Sequence, residues 1–386
     1  MERFRIDVAD DVLADLHARL DRTRWPNQID GAGWDYGAEL SYVQELCGYW
    51  REGFDWRAEE ARLNAWDQFA TTVDGQRIHF VHARSTEPDA MPLMIAHGWP
   101  GSIVVFTKVI EPLRDPASHG GDRADAFHVV CPSLPGYTFS GPTHERGWSP
   151  RRVATAYGEL MRTLGYPRYG MQGGDWGAIV AIHMGDLRPP GLCGVHLNLM
   201  PVRPPKGFDM STLTESEQSN LAAATDFYKD GNGYLEIQRT RPQTIGYALD
   251  DSPAGLAAWI AEKFIAWTDC ADADGKRDIA RFESLVSRDD LLANIMIYWA
   301  TRTATSSARL YFEGFNRSGS LPKERIELPV GCALFPAELM RPPRAWCEAA
   351  YNLEHWTEMP RGGHFAALEQ PELFVEDVRK FFRLQR

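Results

Sequence analysis

Tyr169-Gly170-Met171-Gln172 runs into Gly173-Gly174-Asp175-Trp176-Gly177, and Ala178-Ile179-Val180-Ala181-Ile182 follows. An apolar run, a glycine-rich pentapeptide and a helix-like run predict a strand, a sharp turn and a helix. In G-x-S-x-G sequences the same setting exposes a nucleophile at the tip of a strained turn, where small flanking residues let the backbone close tightly. Here the central residue is Asp175, and G-x-S-x-G occurs nowhere in the chain. A carboxylate at that point implies attack on an sp3 carbon, giving an alkyl ester that water must then cleave. An Asp opening a helix after a glycine-rich turn is also an ordinary cap, so the rest of the chain has to decide.

Three further stretches complete a set. His97-Gly98-Trp99-Pro100 follows the apolar strand Pro92-Leu93-Met94-Ile95-Ala96, and Glu338 follows the strand Val330-Gly331-Cys332-Ala333-Leu334-Phe335. His364 lies in Arg361-Gly362-Gly363-His364-Phe365, ahead of a C-terminal amphipathic helix. Nucleophile, acid and histidine in this order form the α/β-hydrolase triad. The gap between acid and histidine has room for one helix and one strand. A loop histidine is usually just solvated, and a Glu near a helix start is favoured by the helix dipole in any case. The alternative acid position follows the strand Cys193–Leu199, where the chain has Asn198, which favours Glu338. Asp186, on the helix after the nucleophile, and Glu369, beyond the histidine, are poorer candidates.

The chain resembles the epoxide hydrolases, and more narrowly their microsomal-type branch with an N-terminal meander. The likeness is carried at the front by Leu16-His17-Ala18-Arg19-Leu20, Thr23-Arg24-Trp25-Pro26, Tyr49-Trp50 and Asp55-Trp56-Arg57. In the middle it is carried by His97-Gly98-Trp99-Pro100-Gly101 and Pro132-Ser133-Leu134-Pro135-Gly136-Tyr137, and at the end by Phe335-Pro336-Ala337-Glu338 and Gly362-Gly363-His364-Phe365-Ala366. In length and organisation the chain is also similar to bacterial members of natural-product pathways such as the enediynes, which implies secondary metabolism and antibiotic biosynthesis. The resemblance implies two tyrosine acids in a helical lid: Tyr234 in Gly233-Tyr234-Leu235-Glu236-Ile237-Gln238 and Tyr311 in Ala308-Arg309-Leu310-Tyr311-Phe312. Tyr228, Tyr247 and Tyr298 are read as packing or pocket lining. His97 is read as structural, ordering the loop whose Trp99 amide forms an oxyanion hole with the Trp176 amide. Trp99, Pro100 and Trp176 are the expected substrate contacts, and a cis bond before Pro100 is a trait of the family's loop.

With 386 residues, 44% hydrophobic and 24% charged, the chain suits an α/β core with insertions. A net charge of −12 argues against nucleic acid or an anionic membrane as partner, since either requires a basic face. Six cysteines without C-x-x-C spacing imply packing rather than zinc or disulfides. The first residues open no hydrophobic stretch, which implies neither signal peptide nor anchor and a cytoplasmic protein. Microsomal relatives carry such an anchor, so the chain departs from them there. Monomer and homodimer both remain open.

Residues 1–68 are expected to form a helical meander that buries Trp25, Trp34, Trp50, Trp56 and Trp66. Phe69–Val73 and Ile78–His82 flank Asp74-Gly75, a hairpin signal. Strand and helix then alternate, with a helix expected over Ile103–Leu113, which predicts a mostly parallel, doubly wound sheet. The rhythm stops at Pro201-Val202-Arg203-Pro204-Pro205. The expected division is an α/β-hydrolase core over 69–200 and 326–386, with a helical lid over 201–325 above the strand ends, where such sheets bind ligands.

The resulting expectation is hydrolysis of an epoxide, with an apolar or aromatic body, to a vicinal diol without metal or organic cofactor. Asp175 is alkylated while Tyr234 and Tyr311 assist the departing oxygen. His364, supported by Glu338, then activates water against the ester. One rival is a haloalkane or haloacid dehalogenase with the same nucleophile, whose halide leaves without needing a proton. The other is a catalytically silent hydrolase-fold binding protein, although such proteins commonly lose a triad member and this chain keeps all three.

Overall fold

The computed structural model describes residues 1–272, 275–316 and 321–386. Nine strands form one sheet: β1 (Glu2–Phe4), β2 (Gln68–Val73), β3 (Gln76–Ala83), β4 (Met91–Ala96), β5 (Phe127–Pro132), β6 (Tyr169–Gly173), β7 (Leu192–Leu197), β8 (Ile326–Leu334) and β9 (Tyr351–Glu358). Their order is β1-β2-β3-β5-β4-β6-β7-β8-β9. Pairing is antiparallel from β1 to β5 and parallel from β5 onward. Asp74 and Gly75 both have positive φ (51° and 74°), the twist a two-residue hairpin needs between β2 and β3. Every residue of β6 is buried, as expected of a central parallel strand covered on both faces.

The chain leaves β4 for β5 on one side and returns to β6 on the other. That reversal opens a crevice at the C-terminal ends of β4 and β6. His97-Gly98-Trp99 leaves one of these ends and Gly174-Asp175 the other, so two distant motifs meet at one point.

Two sequence expectations need correction. The helix expected over Ile103–Leu113 is a 3-10 turn at Ile103–Phe106 followed by a short helix at Ile110–Arg114. All four side chains of that turn are buried, and three are β-branched, which penalises a continuous helix. The meander tryptophans do not share one fate. Trp50 and Trp56 are buried and Trp34 and Trp66 half-buried, but Trp25 is 38% exposed in an irregular segment. The sheet also takes in β1, ahead of the first helix (Asp10–Leu20), a three-residue strand too short to show any period.

Between β7 and β8 the chain is helical, the main elements being Glu215–Asp226, Gly233–Thr240, Pro242–Leu249, Pro253–Trp267, Arg288–Thr301 and Ala304–Asn316. Pro253–Trp267 and Arg288–Thr301 are buried on most sides, because the N-terminal helices Leu40–Glu52 and Trp56–Leu63 pack against them. Among the described residues no helix is long and apolar enough to cross a membrane.

Candidate active site

Asp175 opens the helix Asp175–Leu187 with φ at 49°, a left-handed conformation unfavourable for a residue with a Cβ. Close approach of two turns makes glycine necessary beside it. A Cβ on Gly177 would lie 2.0 Å from the Ala96 carbonyl oxygen, and one on Gly98 would lie 2.0 Å from Asp175 Oδ1. The Trp99 N–H donates to Asp175 Oδ1 at 2.8 Å. The Trp176 N–H lies in the first turn of the helix, where backbone donors have no intrahelical acceptor.

The Trp99 loop is held by buried groups from three directions. His97 Nε2 accepts the Leu134 N–H (3.2 Å), so Nδ1 carries the proton and donates to the Gly98 carbonyl (3.0 Å). Burial lowers the pKa of His97 to about 4, which keeps it neutral for both tasks. From the insert, the Asn294 amide donates to the Pro100 carbonyl and the Tyr298 hydroxyl to the Gly101 carbonyl, each at 2.7 Å. The Trp99–Pro100 bond is cis.

His364 bridges two carboxylates. Its Nδ1 lies 2.7 Å from Glu338 Oε1 and its Nε2 3.4 Å from Asp175 Oδ2. Burial alone would lower its pKa. The Glu338 charge and the bonds to Asp175 and Glu338 outweigh that and raise it to about 10, so at neutral pH the histidine is a cation between two anions. The His364 backbone N–H donates to the Trp267 carbonyl (3.0 Å), and Phe365 and Trp267 pack edge-on to its ring. Glu369, poorly placed as a triad acid, has a separate task. Its carboxylate accepts the Gly363, Phe365 and Asp269 N–H groups, tying the histidine loop to the insert.

Tyr234 and Tyr311 are buried, and their rings lie 5.9 Å apart and nearly perpendicular. Tyr234 stacks on Trp99 (5.0 Å, 9°), with Lys263 Nζ 5.0 Å from its ring. Tyr311 meets Trp176 edge-on at 4.8 Å, and its hydroxyl has no partner of ordinary hydrogen-bond geometry although Tyr234 and Asp175 are within electrostatic reach. Burial pushes both phenols well above their usual range. The Asp175 charge is the next contributor for Tyr234; for Tyr311 it is Tyr234 and then Asp175. Both rings line a cavity of about 450 Å³ that also touches Asp175 and Trp176. Trp99 and Pro100 are not on its wall: Trp99 lies behind Tyr234, beside a small void next to Asp175 and His364. A larger open cleft, about 890 Å³, lies far from this chemistry between the meander segment 22–40 and the start of the helix Pro253–Trp267.

Residues 1–106 match the family model described as epoxide hydrolase N terminus, and residues 91–234 match that of the alpha/beta hydrolase fold. A Stigmatella aurantiaca protein with a provisional epoxide hydrolase name is 48% identical over 99% of this chain and 85% of its own. Epoxide hydrolase 1 of Oryctolagus cuniculus is 37% identical over 99% of this chain and 88% of its own. The chain belongs to the epoxide hydrolase family. The crystal structure of juvenile hormone epoxide hydrolase from the silkworm Bombyx mori superposes on all of this chain and 95% of its own with a TM-score of 0.90, at 30% identity. The α/β-hydrolase fold expected from the order of motifs is therefore the fold of this epoxide hydrolase.

Of the remaining sequence candidates, Asp186 pairs with Arg151. Asn198 accepts a bond from the buried Gln172 amide (2.8 Å) beside Gly174. Tyr228 is on the cavity wall, as expected. Tyr247, read as packing or lining, is 75% exposed on the outer face of its helix and is neither. Tyr298, read as packing or lining, is buried packing whose hydroxyl also supports the loop, and Asn294 is a second support residue that the sequence pattern does not single out. Both are interior positions of a buried helix, and their polar ends are meaningful only because the Pro100 and Gly101 carbonyls face them.

Proposed function

We propose that the epoxide is opened through a covalent ester on Asp175. One Asp175 oxygen attacks an oxirane carbon in line, and the epoxide oxygen departs toward the Tyr234 and Tyr311 hydroxyls, one of which gives up a proton as the C–O bond breaks. The proton His364 carries restores the phenol, and His364 then takes a proton from water as its oxygen adds to the ester carbonyl of Asp175. The Trp99 and Trp176 amides carry the resulting oxyanion, each such donor being worth on the order of 3 kcal/mol in the transition state. Collapse of the oxyanion breaks the acyl–oxygen bond, releases the diol with the second proton of the water, and regenerates the Asp175 carboxylate. The observation that carries this reading is the placement of Asp175. One oxygen is on the Trp99 amide, the other near His364, and the carboxylate faces a cavity lined by two phenols.

The electrostatics support the order of the two steps. While Asp175 is anionic, His364 is held protonated and steadies the nucleophile instead of acting as a base. Alkylation removes the Asp175 charge, and with it one of the influences that raise His364. The histidine then releases its proton more readily just when a base is needed. A dehalogenase is not favoured, because a departing halide has no use for two phenols at the nucleophile. A silent binding protein is not favoured either, since the triad is complete.

The wall of the cavity is largely apolar, with Ile179, Leu199, Val202, Leu235, Phe315 and Leu339, which fits an apolar or aromatic body on the substrate. We read residues 201–325 as a lid, of which 273–274 and 317–320 lie outside the described residues, and residues 1–68 as a meander bracing it. Six free cysteines suit a reducing compartment, and we assign the enzyme to the cytoplasm. A single turnover in H₂¹⁸O tests the mechanism. The first diol should be largely unlabelled and the protein should gain the heavy oxygen; fully labelled first-turnover diol would mean direct attack by water.

A further inference from the structure

The wall of the cavity has three exposed members: Arg203, Tyr228 and Phe315. The remaining lining residues are buried or half-buried, so these three mark the end open to solvent. Among the described residues of the wall, Arg203 is the one cation and Asp175 the one carboxylate. Asp175 is already paired with His364. The Arg203 side chain has no ion pair or hydrogen bond with any described residue; those of Arg5, Arg24 and Arg188 share that state, and what sets Arg203 apart is its place on the cavity wall.

The backbone presents this side chain in a restricted way. Arg203 sits in Pro201-Val202-Arg203-Pro204-Pro205, the strap that leads from β7 into the insert. A residue before proline is confined to extended conformations, and the flanking prolines remove further freedom. The strap thus fixes where Arg203 leaves the backbone at the rim of an apolar cavity, and its guanidinium donors are unused. With a net charge of −12 the chain repels anions in bulk, so any attraction for one at this rim is local.

Building on the epoxide reading of this cavity, we infer that Arg203 seats an anionic tail, so that the preferred substrates are epoxides whose apolar body ends in a carboxylate. The oxirane lies at Asp175, Tyr234 and Tyr311, the body fills the apolar wall, and the carboxylate takes two parallel N–H bonds from Arg203 in the geometry that guanidinium and carboxylate share. The tail is distant from the reacting carbons and pairs equally in the ground and transition states. The preference therefore appears in KM and little in kcat.

The test uses a homologous series of epoxyalkanoic acids and their methyl esters with the full-length enzyme, comparing the acid-to-ester ratio of kcat/KM in the wild type, Arg203→Gln and Arg203→Glu. In the wild type the ratio should reach about five- to tenfold at one spacer length, since the pair is charge-assisted but partly exposed. It should shrink as salt is raised. In Arg203→Gln it should fall to about one, and in Arg203→Glu below one, the acid now being repelled relative to its ester. Reading ratios within each variant removes any effect of the substitution on folding. A wild-type ratio near one, or a ratio that Arg203→Gln leaves intact, overturns the proposal. So does a preference independent of spacer length, which would indicate attraction by the field and not a seat for the tail. If the esters are turned over while the ratios fail, the epoxide reading survives and only the tail-binding role falls. If no member of the series is opened by any variant, both fall together.

Discussion

The two walls of the active site are built in different ways. On the sheet side, Asp175, Trp99 and His364 sit on tight turns whose shape is set by neighbouring glycines and by hydrogen bonds to the backbone, several of them made by Asn294, Tyr298 and Glu369. A methyl group added at Gly98 or Gly177 would collide with the opposite turn. On the insert side, Tyr234 and Tyr311 are held by ring packing from several segments: Trp99, Trp176, Trp267 and the Lys263 ammonium. The first kind of wall is rigid and leaves a motif in the sequence. The second is a mosaic of large side chains that can be repacked, and it leaves little more than aromatic composition. The chemistry common to the family is expected on the rigid wall, and whatever is particular to this enzyme's substrate on the mosaic.

The largest expected effect is on the rigid wall. His364→Gln should still be alkylated, because Asp175 needs no base to attack, but turnover should drop roughly ten-thousandfold or more. Intact-protein mass spectrometry should show an adduct equal to the mass of the substrate. If a substrate that demonstrably binds never forms the adduct, the histidine is needed for both steps and the division of labour between the walls is wrong.

Tyr234→Phe and Tyr311→Phe probe the mosaic, with a smaller effect expected. Each removes one hydroxyl and should slow alkylation roughly ten- to a thousandfold, for a donor worth about 1.5–4 kcal/mol in the transition state. Hydrolysis of a preformed ester should change far less, which rapid-quench measurement of the two steps would show. Equal slowing of both steps would mean that the phenols support the sheet side as well.

The smallest expected effect is a shift along the pH axis. His364 is raised from an ordinary 6.5 to about 10 in the folded protein. It therefore contributes stability that is fully present below the unfolded value and is lost as pH rises through about 10. Asp175→Asn removes one of the two flanking charges, as alkylation does. In that variant the loss of stability, read from Tm against pH, should begin at lower pH, and ¹⁵N-histidine NMR should show His364 titrating lower. An unchanged titration would assign the whole effect to Glu338 and remove the proposed release of the base on alkylation.

Much of the rigid wall is legible in the amino-acid sequence alone. Gly-Gly-Asp-Trp-Gly between a strand and a helix, His-Gly-Trp-Pro after a strand, and Gly-Gly-His-Phe before the last helix are local patterns. Their glycines and order carry the meaning, and the fold brings Asp175, Glu338 and His364 to within hydrogen-bond or ion-pair distance. Glu338 needs one inference by elimination, because a lone carboxylate at a helix start has no motif of its own. From pattern alone the insert is legible only as helical, and Tyr234 and Tyr311 are singled out in it by the resemblance and not by periodicity. Tyr247 and Tyr311 are both tyrosines on helices of similar pattern, yet one is 75% exposed and the other 2%. Sequence periodicity identifies a buried face but not which neighbour covers it.

By itself, then, the sequence determined the mostly parallel core, an aspartate at the turn between strand and helix, and the chain order of Asp175, Glu338 and His364, because each is a local backbone requirement or a consequence of connectivity. Only the tertiary structure decided how the rings of Tyr234 and Tyr311 are packed beside Asp175, that Asn294 and Tyr298 clamp the Pro100 and Gly101 carbonyls, that Glu369 anchors the histidine loop, and that Arg203 is left unpaired at the rim. Each of these depends on side chains from segments far apart in the chain arriving in one place, and packing, unlike a turn, leaves no fixed spacing in the sequence.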